Sequence, residues 1–218
     1  DGGLGIVVGT QAMALALAKA GAVGVGVVTT PYHAHIGSAG KYARLAMRRG
    51  CIGICFSGRS AAPDYDPAGS VHHSIQGSPP LAFGMPAAPG RPYFLLDMSS
   101  AMPWDEACFA RMPEVYYRGL GLCHVANLMS GTLGGQMLPE FDRHTAHHQS
   151  ADQSGFFMAL AVERFVPLAA FFYMWLAMAE AMGPDGAWPQ SEPPSPPGPA
   201  NLGFLAWPKA VAILSGAL

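Results

Sequence analysis

Charge is scarce in this chain. Only 12% of its 218 residues are Asp, Glu, Lys or Arg, about half the usual share for a soluble domain. The 12 basic and 14 acidic residues leave a formal charge of −2. With no basic excess there is no field to gather phosphate backbones, and nucleic acid is excluded as the expected partner. Cysteine is scarce too. Cys51, Cys55, Cys108 and Cys123 are too few for a disulfide framework, and no C-x-x-C spacing marks a zinc site. They read as reduced, buried thiols of a reducing compartment, cytoplasmic or an organellar matrix. No basic segment followed by an apolar run opens the chain, so no signal peptide is visible, and a start on Asp-Gly-Gly instead of Met reads as processed or incomplete.

Apolar material is plentiful: half of the residues are hydrophobic. That excludes intrinsic disorder and supports a buried core. Together with the low charge, it implies that something other than bulk water covers part of the surface.

Periodicity gives the element order. Thr10 can cap a helix through Ala20 that stops at Gly21, and the β-branched run from Val23 to Thr30 reads as a buried strand. A polar loop, Pro31 to Gly37, leads to a helix from Ser38 to Arg49 and then an apolar strand from Cys51 to Ser57. Residues 58–80 are rich in Gly, Pro, Ser and Asp and read as a long connection. Strands are expected at Leu81–Met85, Tyr93–Asp97 and Gly155–Ala161, with a buried helix at Gly119–Met129. The fold class is α+β: a mixed sheet flanked by helices, in one domain over 1–183, followed by a Pro-rich extension over 184–218. Phe165 to Met182 is helical in length and apolar almost all round, with Glu180 its one charge. Membrane contact through this segment is an alternative, but Pro167 and Glu180 shorten it as a span, and burial against a partner or in a core explains it better.

His35 is the first candidate for chemistry. It follows a strand and precedes a helix N-terminus, where a side chain sits at a strand's carboxyl end among positive backbone dipoles. An imidazole there can exchange a proton with a substrate hydroxyl near neutral pH; the alternative is an ordinary hydrogen-bonded loop histidine. His33 reads as structural. The opening GLGIVVG does not match G-x-G-x-x-G and has no strand before it, so its glycines read as turn and packing residues. His144, His147 and His148 could hold a metal on a helix but read as a solvated loop, and no metal site is expected.

Several segments together carry a family resemblance. DGGLGIVVGTQAMALALAKAGAVGVGVV, then HAHIGSAGKYARLAMRRGCIGICFS, GSPPLAFGMPA, FLLDMSSA, RGLGLCHVANLMSGTLGG and GFFMALAVERF stand in the order found in the malate/L-lactate dehydrogenase family, which this chain resembles to about residue 180. The resemblance implies a non-Rossmann fold, usually dimeric, that uses NAD or NADP. Hydride would pass between the nicotinamide and C2 of a small 2-hydroxy or 2-oxo acid while His35 handles the hydroxyl proton. The cofactor contacts it implies are Arg59, Asp97, Met98, Ser99, Arg118, Gly155, Phe156 and Phe157. An Asp at a strand end can bind ribose hydroxyls and an Arg can pair with phosphate.

The sequence also departs from the family pattern. The family's region before DGG, which binds the substrate carboxylate, has no counterpart. Only Ala101 to Tyr117 stands where the family has a longer segment. Arg118 replaces a lysine, Gly58 an asparagine, Ser78 and Pro79 a Thr-Asn pair, and Gly155 a histidine. A second reading follows: a catalytically degenerate relative serving as a structural subunit of a larger assembly, membrane-associated or not.

Overall fold

The computed structural model describes residues 2–58, 79–91, 93–100, 105–136 and 151–181. The expected extension over 184–218 and His144, His147 and His148 lie outside the described residues, as does Arg59.

The chain opens with helix α1 (Gly5–Val23), strand β1 (Val25–His33), helix α2 (Gly40–Met47) and strand β2 (Cys51–Gly58). Strands β3 (Pro80–Met85) and β4 (Phe94–Ser99) follow, then helices α3 (Glu106–Arg111) and α4 (Pro113–Asn127). Strand β5 (Gln153–Ala161) and helix α5 (Leu168–Ala181) close the described chain. The five strands form one sheet in the order β1-β5-β2-β3-β4. Among the described residues all four ladders are antiparallel, and parallel pairing enters only through an isolated bridge between Gly3 and His33.

Both faces of the sheet carry apolar side chains, in keeping with alternation along each strand. On one face, Cys55, Ala82, Leu95, Phe157 and Ala159 meet Ala12, Met13, Ala16 and Ala20 of α1 and Tyr42, Ala43 and Ala46 of α2. The small residues let the helices lie close: a Cβ on Gly26 of β1 would collide with the backbone of α1 at Ala16 and Ala20. On the other face, Phe56, Leu81 and Phe156 pack with Ala126 of α4. Phe56 and Phe156 stack with ring centroids 5.5 Å apart.

Several boundaries differ from the sequence reading. Helix α1 begins at Gly5, not after Thr10. The Thr10 hydroxyl sits inside the helix and donates back to the Ile6 carbonyl at 2.7 Å, a bond that competes with capping. The helix ends at Gly24, whose φ of 92° gives the left-handed terminator. Strand β1 runs three residues beyond Thr30, through a register shift between Thr30 and His33. There Tyr32 adopts φ 56°, a left-handed conformation uncommon for a bulky residue, and Tyr32 and His33 are both buried instead of alternating. Helix α4 starts at Pro113 and is only half-buried, with Leu122 and Val125 exposed. Asp105 caps α3, accepting from the Cys108 amide at 2.6 Å, and this helix has no counterpart in the sequence reading.

The apolar segment 165–182 forms a helix of 14 residues. It starts only after Pro167 because a short 3-10 turn, Val162–Arg164, occupies the approach. That length falls short of the roughly 20 residues that cross a bilayer. Among the described helices, α1 is the one long and apolar enough to do so by length and composition, and its buried side chains face the sheet.

Candidate functional site

The register of the sheet defines one edge. Strands β1, β2 and β4 end there, and β3 and β5 begin there, because Thr30 and Ser57 both pair with Gly155, Gly58 with Ser154, and Ser99 with Pro80. His35 follows β1 at this edge, and Met98 and Ser99 end β4 at the same edge on the far side of the sheet, with β5, β2 and β3 between them. The chain order thus scatters these positions, and the sheet gathers their strand ends.

Hydroxyl groups lock this edge. Ser57 Oγ donates to the Ser154 carbonyl and Ser154 Oγ to the Gly58 carbonyl, each at 2.9 Å. Ser100 Oγ donates to the Pro79 carbonyl at 3.0 Å, and Tyr32 Oη to the Gln136 carbonyl at 2.5 Å. Buried polar groups need such partners, and the result is a rigid rim under the β1–α2 loop.

Tyr32 and His33 at the end of β1 are buried, as is Ile36 in the loop that follows, while His35 is exposed. Gly5 at the start of α1 packs so tightly under the Ala34 and His35 backbone that a Cβ there would collide with both carbonyl oxygens. The Ala34 amide donates to the Gly3 carbonyl at 3.0 Å. The Gly37 amide donates to His35 Nδ1 at 2.9 Å, so the neutral ring carries its proton on Nε2, the nitrogen left to face an incoming group. His33 is buried differently. Its Nδ1 lies 2.8 Å from the Ala34 carbonyl and its Nε2 3.0 Å from Thr30 Oγ1, which makes Nδ1 the donor and Nε2 the acceptor. Burial holds its pKa below the usual 6.5, against the opposing effect of the Ala34 and Thr30 backbone hydrogen bonds. It is the structural histidine that the sequence suggested.

The residues expected at a cofactor site fall into different environments. Asp97 is buried, with Oδ2 accepting from Ser38 Oγ at 2.5 Å. Ser99 is half-buried at the rim, and Met98 packs against the second core. Arg118 lies on the exposed side of α4, about two and a half turns before Asn127, which reaches Gly58 at the rim. Gly155, at the rim, and Phe156 and Phe157, which follow it, are buried in a strand paired on both sides. Phe157 meets Tyr42 edge-on at 5.3 Å. That placement gives the two phenylalanines a packing role.

The thiols Cys51, Cys55 and Cys123 are buried and free; burial pushes each one's pKa up, which leaves them unreactive. Among the described residues no group of three His, Cys, Asp or Glu converges as a metal site would. Neither of two described surface cavities adjoins His35. The larger, about 870 Å³, lies at the opposite edge of the sheet among Leu17, Leu45, Arg49, Cys51, Glu163 and Arg164. Sequence reasoning missed Ser38 and Tyr42. From the sequence Ser38 reads only as the first residue of a helix, and nothing local links either one to His35.

Residues 1–108, which hold the whole β1–α2 loop and strands β1 to β4, match the malate/L-lactate dehydrogenase family. A malate dehydrogenase of Pyrococcus abyssi is 30% identical, over 78% of this chain and 56% of its own length. The structure of malate dehydrogenase from Pyrococcus horikoshii OT3 superimposes with a TM-score of 0.67 at 25% identity, over 98% of this chain and 66% of that one. Over residues 1–108 the chain is of the malate/L-lactate dehydrogenase type. The fold is shared by sulfolactate dehydrogenase from Methanocaldococcus jannaschii, with a TM-score of 0.59 at 21% identity over 93% of this chain and 64% of that one. The chain spans little more than half the length of the curated relatives it matches.

Proposed function

We propose that this chain is the sheet-and-loop core of an NAD(P)-dependent oxidoreductase acting on small 2-hydroxy or 2-oxo acids. The observation that carries this reading is His35: an exposed imidazole, on a loop fixed by its backbone, at the edge where β1, β2 and β4 end. The positions proposed to meet the dinucleotide are Ser99 and Met98 at the end of β4, Arg59 after β2, and Arg118. An exposed guanidinium suits a phosphate, and a half-buried hydroxyl at the rim suits a ribose or amide group. The nicotinamide, when bound, supplies the hydride acceptor or donor for C2 of the acid.

The chain's own part is the proton. In the oxidation direction the C2 hydroxyl loses its proton to His35 Nε2 as hydride leaves C2. To accept it, the ring must carry its resting proton on Nδ1 and give up the Gly37 amide, a change open to an exposed side chain. In the reduction direction the imidazolium returns that proton to the oxygen.

Titration of the full chain with NADH and NADPH, read by nicotinamide fluorescence, tests the proposal. Saturable binding below millimolar concentration is expected for one of the two, and its absence for both would remove the dehydrogenase reading.

A second reading, a subunit held in a larger assembly, is favoured by the exposed apolar side chains of Phe165, Tyr173, Met174 and Met178 around α5, and of Leu4, Ile6, Val7 and Leu15 on α1. Exposed apolar surface of this kind marks contact with a partner, which suits a homodimer as well as a hetero-assembly.

A further inference from the structure

The loop that carries His35 is tied down from two other elements. Helix α2 has Ala39 at its N-cap, with no side-chain hydrogen bond to the open amides of its first turn. The place of a cap is filled from across the sheet. The Asp97 carboxylate of β4 lies so close to Gly40, the first residue of α2, that a Cβ at Gly40 would collide with it. The same carboxylate accepts the Ser38 hydroxyl at 2.5 Å. A negative group at this helix end is electrostatically favourable, and Asp97 is 5% exposed, so its contacts are made inside the fold. Two residues before Ser38, the Ile36 carbonyl accepts the hydroxyl of buried Tyr42 at 2.6 Å. Between these two ties stands Gly37, with φ 76°, whose amide reaches back to His35 Nδ1. The Gly37 amide shares its peptide plane with the Ile36 carbonyl that Tyr42 holds, and the Ser38–Asp97 bond anchors the far side of the turn.

We propose that Asp97 and Ser38 are positioning residues for His35: their hydrogen bond, with the Tyr42–Ile36 bond, fixes the Gly37 turn and so holds the resting ring with Nε2 outward. Asp97 thereby serves the site through the loop and not as a ligand for a ribose. The inference rests on the reading of His35 as the proton-handling residue, but its structural content is independent of any bound dinucleotide.

Amide hydrogen exchange on the full chain at one fixed pH tests it. In the wild type the Gly37 amide exchanges more slowly than in His35→Ala, by about fivefold for a single hydrogen bond of ordinary net strength. Asp97→Asn and Ser38→Ala are expected to raise Gly37 exchange to the His35→Ala rate, and Ser38→Thr to restore protection. The Val28 amide in β1, paired with Phe157, reports that the sheet remains folded; Ser38 is exposed, so its variant keeps the test alive should Asp97→Asn unfold. If Gly37 stays protected in both variants while only the amides of Lys41 to Ala43 loosen, Asp97 caps α2 and nothing more, and the proposal fails. It fails equally if the wild-type Gly37 amide exchanges as fast as in His35→Ala. Absence of dinucleotide binding by the wild type would overturn the catalytic reading of His35 on which the word positioning depends, and would leave the exchange result as it stands.

Discussion

His33 and His35 are two residues apart and have opposite surroundings. The register shift in β1 turns His33 inward, where it holds Thr30 and Ala34, and leaves His35 outside. Under the proposed function, His35→Ala should cut turnover by about 10²-fold or more with cofactor affinity little changed, measured by steady-state kinetics beside a binding titration. For His33 the expected effect is on stability. Burial lowers its folded-state pKa, so between that pKa and about 6.5 the unfolded chain binds a proton that the native chain does not. Stability from this group is therefore complete above about pH 6.5 and falls as pH drops toward the folded-state value. The slope is at most about 1.4 kcal/mol per pH unit for one proton. Urea midpoints at pH 7.5 and 5.5 should differ in the wild type and converge in His33→Gln; equal differences in both would rule His33 out as the cause. Tyr42, whose pKa burial pushes up to about 12, with Cys55 adding to it, stays neutral across this range, and its bond to Ile36 is not lost with pH.

At the level of elements, close approach rather than large side chains joins the helices to the sheet. Gly26 lets β1 pass against the backbone of α1, and Gly53 does the same for β2 under α2. Gly26→Ala should cost about 1–3 kcal/mol, because the obstructing atoms are backbone and cannot rotate away, whereas Gly21→Ala, with nothing near its Cβ, should be neutral or slightly stabilising through helix propensity. Chemical denaturation of the two variants checks the contrast. The strands were legible because β-branched and apolar runs bounded by Gly and Pro are strong local signals, and β2 and β5 fall where the pattern puts them. The ends of helices were less so. Thr10 is a good cap in principle, yet a helix already started at Gly5 by contacts with the His35 loop carries straight through it. Nothing in 101–117 announced α3, whose six residues depend on the Asp105 cap and on Tyr116, which lies edge-on to Phe109.

Across the whole molecule, the low charge read from the sequence reappears as apolar surface on α5 and on the outer side of α1. The full chain is therefore expected to be dimeric or larger by light scattering at micromolar concentration, and polar substitution at Tyr173 and Met174 together should shift it toward monomer; a monodisperse monomer in the wild type would count against both the homodimer and the subunit reading. The sequence by itself determined the class of fold, the order of its early elements, the family and the histidine worth testing, because apolar periodicity and short motifs are local properties of the chain. Only the tertiary structure decided that the sheet is antiparallel, that Gly155 to Phe157 lie buried in a strand paired on both sides, and that Asp97 reaches Ser38 across 59 residues of sequence. Strand order and register depend on which surfaces fit together once the chain is folded. They fix which residues share an edge, and hence which of them can act on one substrate.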